Sequence, residues 1–261
     1  MTTLDQAGIT PAAMPLSRTL AAYVSDAKYE SIRLFRTPAF SIPILAMPIL
    51  FYIFFGVLLP GGRDPLHMAA NYMYVGWTVY GVMGPGLFGF GILVAVERNQ
   101  GLLTFKRALP MPTGGYLFAK LAMAYVFALG VMAILAVLAV NMGHVSLSPG
   151  KLVTVAAVMS LGVFPACAIG LFIGAWAPAS SAPAFANITY LGMAFLSGLF
   201  FPLPAGLKTF QPIWPTFHLA QLAMASAGLP SRGDLMTHVL ILVATTLVLT
   251  GLAARRLARA G

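Results

Sequence analysis

The residues best equipped for chemistry lie between positions 97 and 112. Glu97, Arg98, Lys106 and Arg107 put four ionisable groups into one short stretch of a chain that is 59% hydrophobic and only 8% charged. Elsewhere the reactive types are sparse. The remaining carboxylates, Asp5, Asp26, Glu30, Asp64 and Asp234, fall in or near connectors, and His67, His144, His218 and His238 are scattered. No nucleophile–base motif appears and no His/Glu zinc pair at helical spacing, so an intramembrane enzyme is not indicated. Cys167 has no second cysteine for a disulfide or a metal pair and reads as a small core residue. Gly150-Lys151 is the nearest approach to a phosphate loop, but Val145 stands where the first glycine belongs and Leu152 replaces the Ser or Thr. If ATP drives this protein, another chain binds it. The chemistry left for 97–112 is ionic contact at a membrane face, where a soluble partner can reach it.

The elements that must position this island are membrane helices. A mean hydropathy of +0.89 excludes a soluble globular domain, whose surface needs roughly a quarter charged residues. Long uncharged runs at 37–62, 121–150, 152–207, 209–231 and 235–254 can each hold a span of about 20 residues, and 152–207 can hold two. The runs lack the alternating pattern of a barrel, and backbone groups must be satisfied within lipid, so the fold class is an all-α integral membrane protein. Six spans are expected, near 38–60, 68–96, 114–142, 152–177, 182–202 and 234–254, within one transmembrane domain over 37–254. Gly84-Pro85-Gly86 predicts a kink in the second. Residues 1–14 are polar, with no signal-peptide pattern, so the first span serves for insertion.

Three flanking elements complete the organisation. Residues 15–36 read as a basic amphipathic helix lying in the interface, with Leu16, Leu20, Tyr23, Val24, Ala27 and Phe35 near one face; a solvated helix of a small amino-terminal domain is the alternative. Residues 203–232 are apolar but broken by Pro204, Pro212 and Pro215, which predicts a re-entrant or interfacial segment. Residues 255–261 form a basic tail. Small residues at Gly162, Ala166, Gly170 and Gly174 allow close helix approach, more simply within the chain than between chains.

Charge fixes the orientation. With six spans, Arg18, Lys28, Arg33, Arg36, Arg98, Lys106, Arg107, Lys120, Arg255, Arg256 and Arg259 share one side, against Arg63, Lys151, Lys208 and Arg232 on the other. That asymmetry puts both termini in the cytoplasm. The net charge of +9 thus belongs to membrane topology and anionic lipid, not to nucleic acid. No ionisable group sits in mid-span, which leaves no evident means of coupling to a proton gradient.

Physically, 97–112 reads as an interfacial helix, with Glu97 near its start, Lys106 and Arg107 near its end and Pro110 as its stop. Its Leu102, Leu103, Phe105 and Leu109 could rest on lipid or enter a groove on a partner. The pattern Glu97-Arg98-x-x-Gly101, Leu103, Arg107-Ala108-x-Pro110 and Lys120 resembles the ABC (ATP-binding cassette) transporter permease of type 2. Leu196-Ser197-Gly198-Leu199-Phe200-Phe201-Pro202 with Pro204, then Trp214-Pro215-Thr216, resembles the fifth span of that family and the extracellular hairpin after it. Asn99 stands where the family often has a second acid, and Leu102 and Leu109 where it often has Thr, so the acidic contact rests on Glu97.

The resemblance implies a permease subunit of the export class that binds no cofactor itself and pairs with a similar or identical chain and with ATPase subunits carrying ATP and Mg. Residues 97–110 would be the coupling helix, with Glu97, Arg98, Gly101, Leu103, Lys106, Arg107 and Pro110 at the docking surface. The substrate path would run between the second and fifth spans, with Asn71, Tyr74, Trp77 and Tyr80 on one and Asn187, Tyr190, Met193 and Leu196 on the other. The alternative is that Tyr72, Tyr74, Trp77 and Tyr80 form an aromatic belt at the outer interface. The rival functions are a channel or carrier needing no ATPase, and a membrane anchor for a soluble partner.

Overall fold

The computed structural model describes residues 15–58, 68–103, 105 and 114–259, and every regular element among them is helical. The helix expected over 15–36 is α1 (Leu16–Phe35). It docks on α4 (Gly115–Asn141) through Ser31 and Leu34, which are buried, through a Tyr23–Phe118 edge contact and through Phe35 stacked on Phe127 at 4.2 Å. Leu16, Leu20 and Val24 of the expected apolar face stay exposed, so the helix is held on one side only.

α2 (Pro38–Phe51) tolerates Pro43 and Pro48 internally and continues as a π-helical stretch, Tyr52–Leu58. α3 (Met68–Asn99) is one uninterrupted helix through Pro85. Its 32 residues rise about 48 Å, well beyond the ~30 Å hydrocarbon thickness, with Glu97 in its last turn. α3 is the centre of the fold: Val75, Val79, Val82, Leu87, Val94 and Ala95 are fully enclosed.

The expected fourth span is two helices in tandem, α5 (Pro149–Leu161) and α6 (Val163–Trp176), broken at Gly162. Pro165 explains the break, because it cannot donate to the Leu161 carbonyl one turn back. Ser148 caps α5 by accepting from the Lys151 N–H at 3.4 Å, with Pro149 at the first helical position. The small-residue stripe is used within the chain. A Cβ on Gly170 would meet the Leu87 carbonyl oxygen of α3 at 2.5 Å, and one on Gly174 the Phe90 carbonyl oxygen at 2.5 Å.

The fifth expected span is shorter than its apolar run. α7 (Ala182–Leu196) has 15 residues, about 22 Å, and stops at Gly198, whose φ of +72° is left-handed. The Leu199 N–H closes the end on the Ala194 carbonyl at 3.2 Å. Leu199 and Phe200 are apolar because the bundle buries them, not because they continue a helix. After the short turns α8 (Ala205–Lys208) and Gln211–Ile213 comes α9 (Pro215–Ala227), which runs antiparallel to α5. Leu219 sits at the level of Gly162, and the Ser226 carbonyl accepts from Thr154 at 3.3 Å. α9 therefore starts half-way down the bundle and ends at its rim. α10 (Leu235–Arg259) absorbs most of the expected tail as helix, with Arg256 and Arg259 in its last turn, where cations suit the helix dipole.

Among the described residues five helical stretches have the length and apolarity to cross a membrane, namely Pro38–Leu58, Met68–Asn99, Gly115–Asn141, Pro149–Trp176 and Leu235–Arg259, with α7 as a shorter sixth apolar helix.

Candidate coupling site and substrate path

The island at 97–112 is not one separate helix. Glu97 and Arg98 form the last turn of α3, so the Glu97 carboxylate lies at a helix C-terminus, where the backbone dipole disfavours it. The reason is Gly101, whose φ of +72° ends α3; its N–H bonds to the Arg98 carbonyl at 3.1 Å. Leu102, Leu103 and Phe105 then resume helical geometry, with Phe105 62% exposed. Lys106, Arg107 and Pro110 lie outside the described residues.

Cations compensate the unfavourable placement of Glu97. Its Oε1 accepts from Lys120 Nζ of α4 at 3.2 Å and from Arg33 Nη2 of α1 at 3.0 Å, and its Oε2 accepts from the Tyr116 hydroxyl. Glu30 of α1 closes the ring by accepting from the same Lys120 at 2.9 Å and the same Arg33 at 2.8 Å. Lys120 is 1% exposed and Glu97 5%. Burial works against the Arg33 charge, but the hydrogen bond to Glu97 and the two carboxylates outweigh it and raise its pKa. Two acids and two bases thus join three helices in one matched cluster. Glu97 faces inward to that cluster rather than out to solvent.

Arg98 points the other way. Its guanidinium donates to the Ala175 and Ala177 carbonyls, the latter at 2.7 Å, and so caps the C-terminus of α6. Consecutive residues of one turn therefore fasten α3 to α1 and α4 on one side and to α6 on the other. Among the described residues of this segment, Asn99, Gln100, Leu102 and Phe105 are the exposed side chains.

The path candidates divide. Trp77, Tyr80 and Tyr190 come together: Tyr80 stacks on Tyr190 at 4.2 Å, the Tyr190 hydroxyl donates to the Tyr80 carbonyl at 2.7 Å, and Trp77 stacks on Phe200 at 4.0 Å. The buried Trp77 indole N–H meets no acceptor among the described residues. Tyr80, Tyr190 and the exposed Asn187 line a groove of about 440 Å³ between α2, α3 and α7, together with Phe40, Phe51 and Phe88. Asn71 does other work: its side chain both donates to Ser146 Oγ and accepts from the Ser146 N–H, at 3.2 Å each. Tyr74 and Met193 are buried in the core, and Leu196 is 37% exposed at the end of α7.

Sequence reasoning passed over Glu30, Arg33, Tyr116 and Lys120 as site residues. Lys120 was visible as part of the motif, but nothing in the sequence pairs it with Glu97. The histidines are not all scattered either. His218 and His238 meet through their Nδ1 atoms at 2.7 Å, from different helices, with no helical spacing to betray them.

The architecture is that of a multi-pass helical membrane protein with an ionic cluster at one end of its central helix. The chain belongs to the ABC-2 type transporter family, whose model matches residues 23–227. A curated relative, the "Putative transport permease YvfS" of Bacillus subtilis (strain 168), is 27% identical over 221 residues, covering 82% of this chain and 88% of its own.

Proposed function

We propose that this chain is the membrane subunit of an ABC exporter in the cytoplasmic (inner) membrane, with both termini cytoplasmic, working as a homodimer or with a similar permease. ATP and Mg belong to a separate ATPase subunit, which docks on the segment after Gly101. The observation that carries this reading is the Glu30–Arg33–Glu97–Lys120 cluster, set immediately before an exposed apolar turn. A force on Leu102 and Phe105 reaches three helices at once through that cluster, which is what coupling a soluble motor to the membrane requires.

Glu97 acts in this reading as the anchor of the docking segment, with Leu102, Leu103 and Phe105 as its contact face and Lys106 and Arg107 as its outer charges. Residues 203–232 form the re-entrant hairpin, whose returning arm is α9. The groove beside Tyr80, Asn187 and Tyr190 is the substrate path; rings, one amide and no fixed charge suit amphipathic cargo.

The test is purification of the tagged chain from its host with and without Phe105→Asp and Leu102→Asp. An ATP-binding subunit that co-purifies with the parent and is lost with both variants supports the reading. A subunit retained by both removes the docking surface from this turn, and a chain that transports in liposomes without nucleotide favours the self-contained carrier.

A further inference from the structure

At the end of the bundle remote from the Glu97 cluster, a cavity of about 300 Å³ opens between the start of α3, the turn after α7, and α9. Its lining combines apolar Met68, Leu203, Phe217 and Met224 with polar Lys208, Arg232, Gln211 and Gln221.

The hydrogen-bond count in this cavity is one-sided. Four of its acceptors are already taken. The Gly198 carbonyl receives the Tyr72 hydroxyl, the Ser197 carbonyl receives Gln211 Nε2 at 3.1 Å, Gln211 Oε1 receives Arg232 Nη1 at 3.4 Å, and Gln221 Oε1 receives the Arg232 N–H at 2.7 Å. The donors are what remain. Gln221 is 7% exposed, and its amide nitrogen has no acceptor among the described residues. Arg232 has one long bond for five N–H groups, and Lys208 has no ion pair among the described residues. No described carboxylate lines the cavity; Asp234, the nearest in sequence, accepts from the Thr237 N–H at 3.0 Å and so caps α10 instead. Two cations and an unpartnered amide donor beside apolar side chains are complementary to an anionic group that carries an apolar body.

We infer that this cavity binds the anionic group of an amphiphile, a phosphate or carboxylate held by Lys208, Arg232 and Gln221 with its apolar body on Phe217 and Met224. The site is separate from the groove at Tyr80 and Tyr190 and does not depend on the direction of transport. Its headgroup chemistry would also accept free phosphate, so the two sources are tested apart.

The experiment is thermal denaturation of the full-length chain in a neutral detergent, titrated with dioctanoyl phosphatidate, dioctanoyl phosphatidylcholine or inorganic phosphate. Lys208→Gln/Arg232→Gln serves as the site variant, since both side chains are exposed and neither supports the core. Arg255→Gln, an exposed cation on α10, is the control. The expected result is saturable protection by phosphatidate, at concentrations at least about tenfold below those of the other two probes. The half-saturation concentration should rise about tenfold or more in the site variant and stay unchanged in the control. Equal protection by phosphatidate and phosphatidylcholine, or equal loss in both variants, overturns the site. Protection by inorganic phosphate at the same concentration as phosphatidate overturns the amphiphile and leaves a site for a free anion.

Discussion

The two ends of α3 solve opposite problems. At the end of the helix Glu97 is answered by Lys120 and Arg33 on two other helices, and Arg98 by backbone carbonyls of a third. Nearer its start, at Trp77 and Tyr80, it is surrounded by neutral rings that touch by their faces and edges. The ionic end is specific in its pairings and tolerates little change, because removing one buried charge strands the others. The aromatic end is held by area and shape, which many side chains can approximate. That division suits the coupling at one end and the cargo path near the other that are proposed above.

The sharpest way to break the contrast is Lys120→Met. It leaves Glu97 and Glu30 facing each other without their buried cation, and should destabilise the chain by about 3–5 kcal/mol, read as a large loss of thermal stability in detergent. A variant as stable as the parent would mean that the cluster is solvated. Tyr190→Phe probes the other end more gently. It keeps the stack on Tyr80 and removes one buried hydrogen bond, worth about 1 kcal/mol, so the melting temperature should fall only slightly. A fall as large as that for Lys120→Met would erase the distinction between the two ends. Arg33→Gln should cost less again, within about 1 kcal/mol, because its side chain is 48% exposed and water screens the pairs it makes. Smallest in stability, within about 0.5 kcal/mol, is Phe105→Asp, an exposed position whose expected effect is confined to co-purification of the ATPase subunit.

Much of this architecture was legible in the sequence because hydropathy reports what lipid requires. The long uncharged runs placed α2, α3, α4, the α5–α6 pair and α10 to within a few residues. The same signal failed at Leu199–Phe201, since a turn buried inside a bundle is as apolar as a helix facing lipid, and only Gly198 marked the stop. The ionic end was half legible. Glu97 and Lys120 stood out as charges, but their pairing depends on the relative register of α3 and α4, to which the sequence offers no guide. Glu30 and Arg33 looked like the solvated face of an interfacial helix, because an amphipathic pattern does not say which polar residues turn toward protein. Asn71 misled for a related reason: an amide near the start of a span suits a path as well as it suits a tie to Ser146.

One feature of the core sets how any push must travel. At Gly170 and Gly174 the backbone of α6 rests directly on carbonyl oxygens of α3, with no side chain between them. Side chains can act as springs, changing rotamer to let neighbouring helices slide; bare backbones cannot. α3 and α6 therefore behave as a single two-stranded beam, further pinned at its tip by the guanidinium of Arg98. A displacement delivered at that tip is shared by both helices along their contact from Gly86 to Val94, and yielding falls on the joints at either flank, where α2 and α7 meet α3 across the groove.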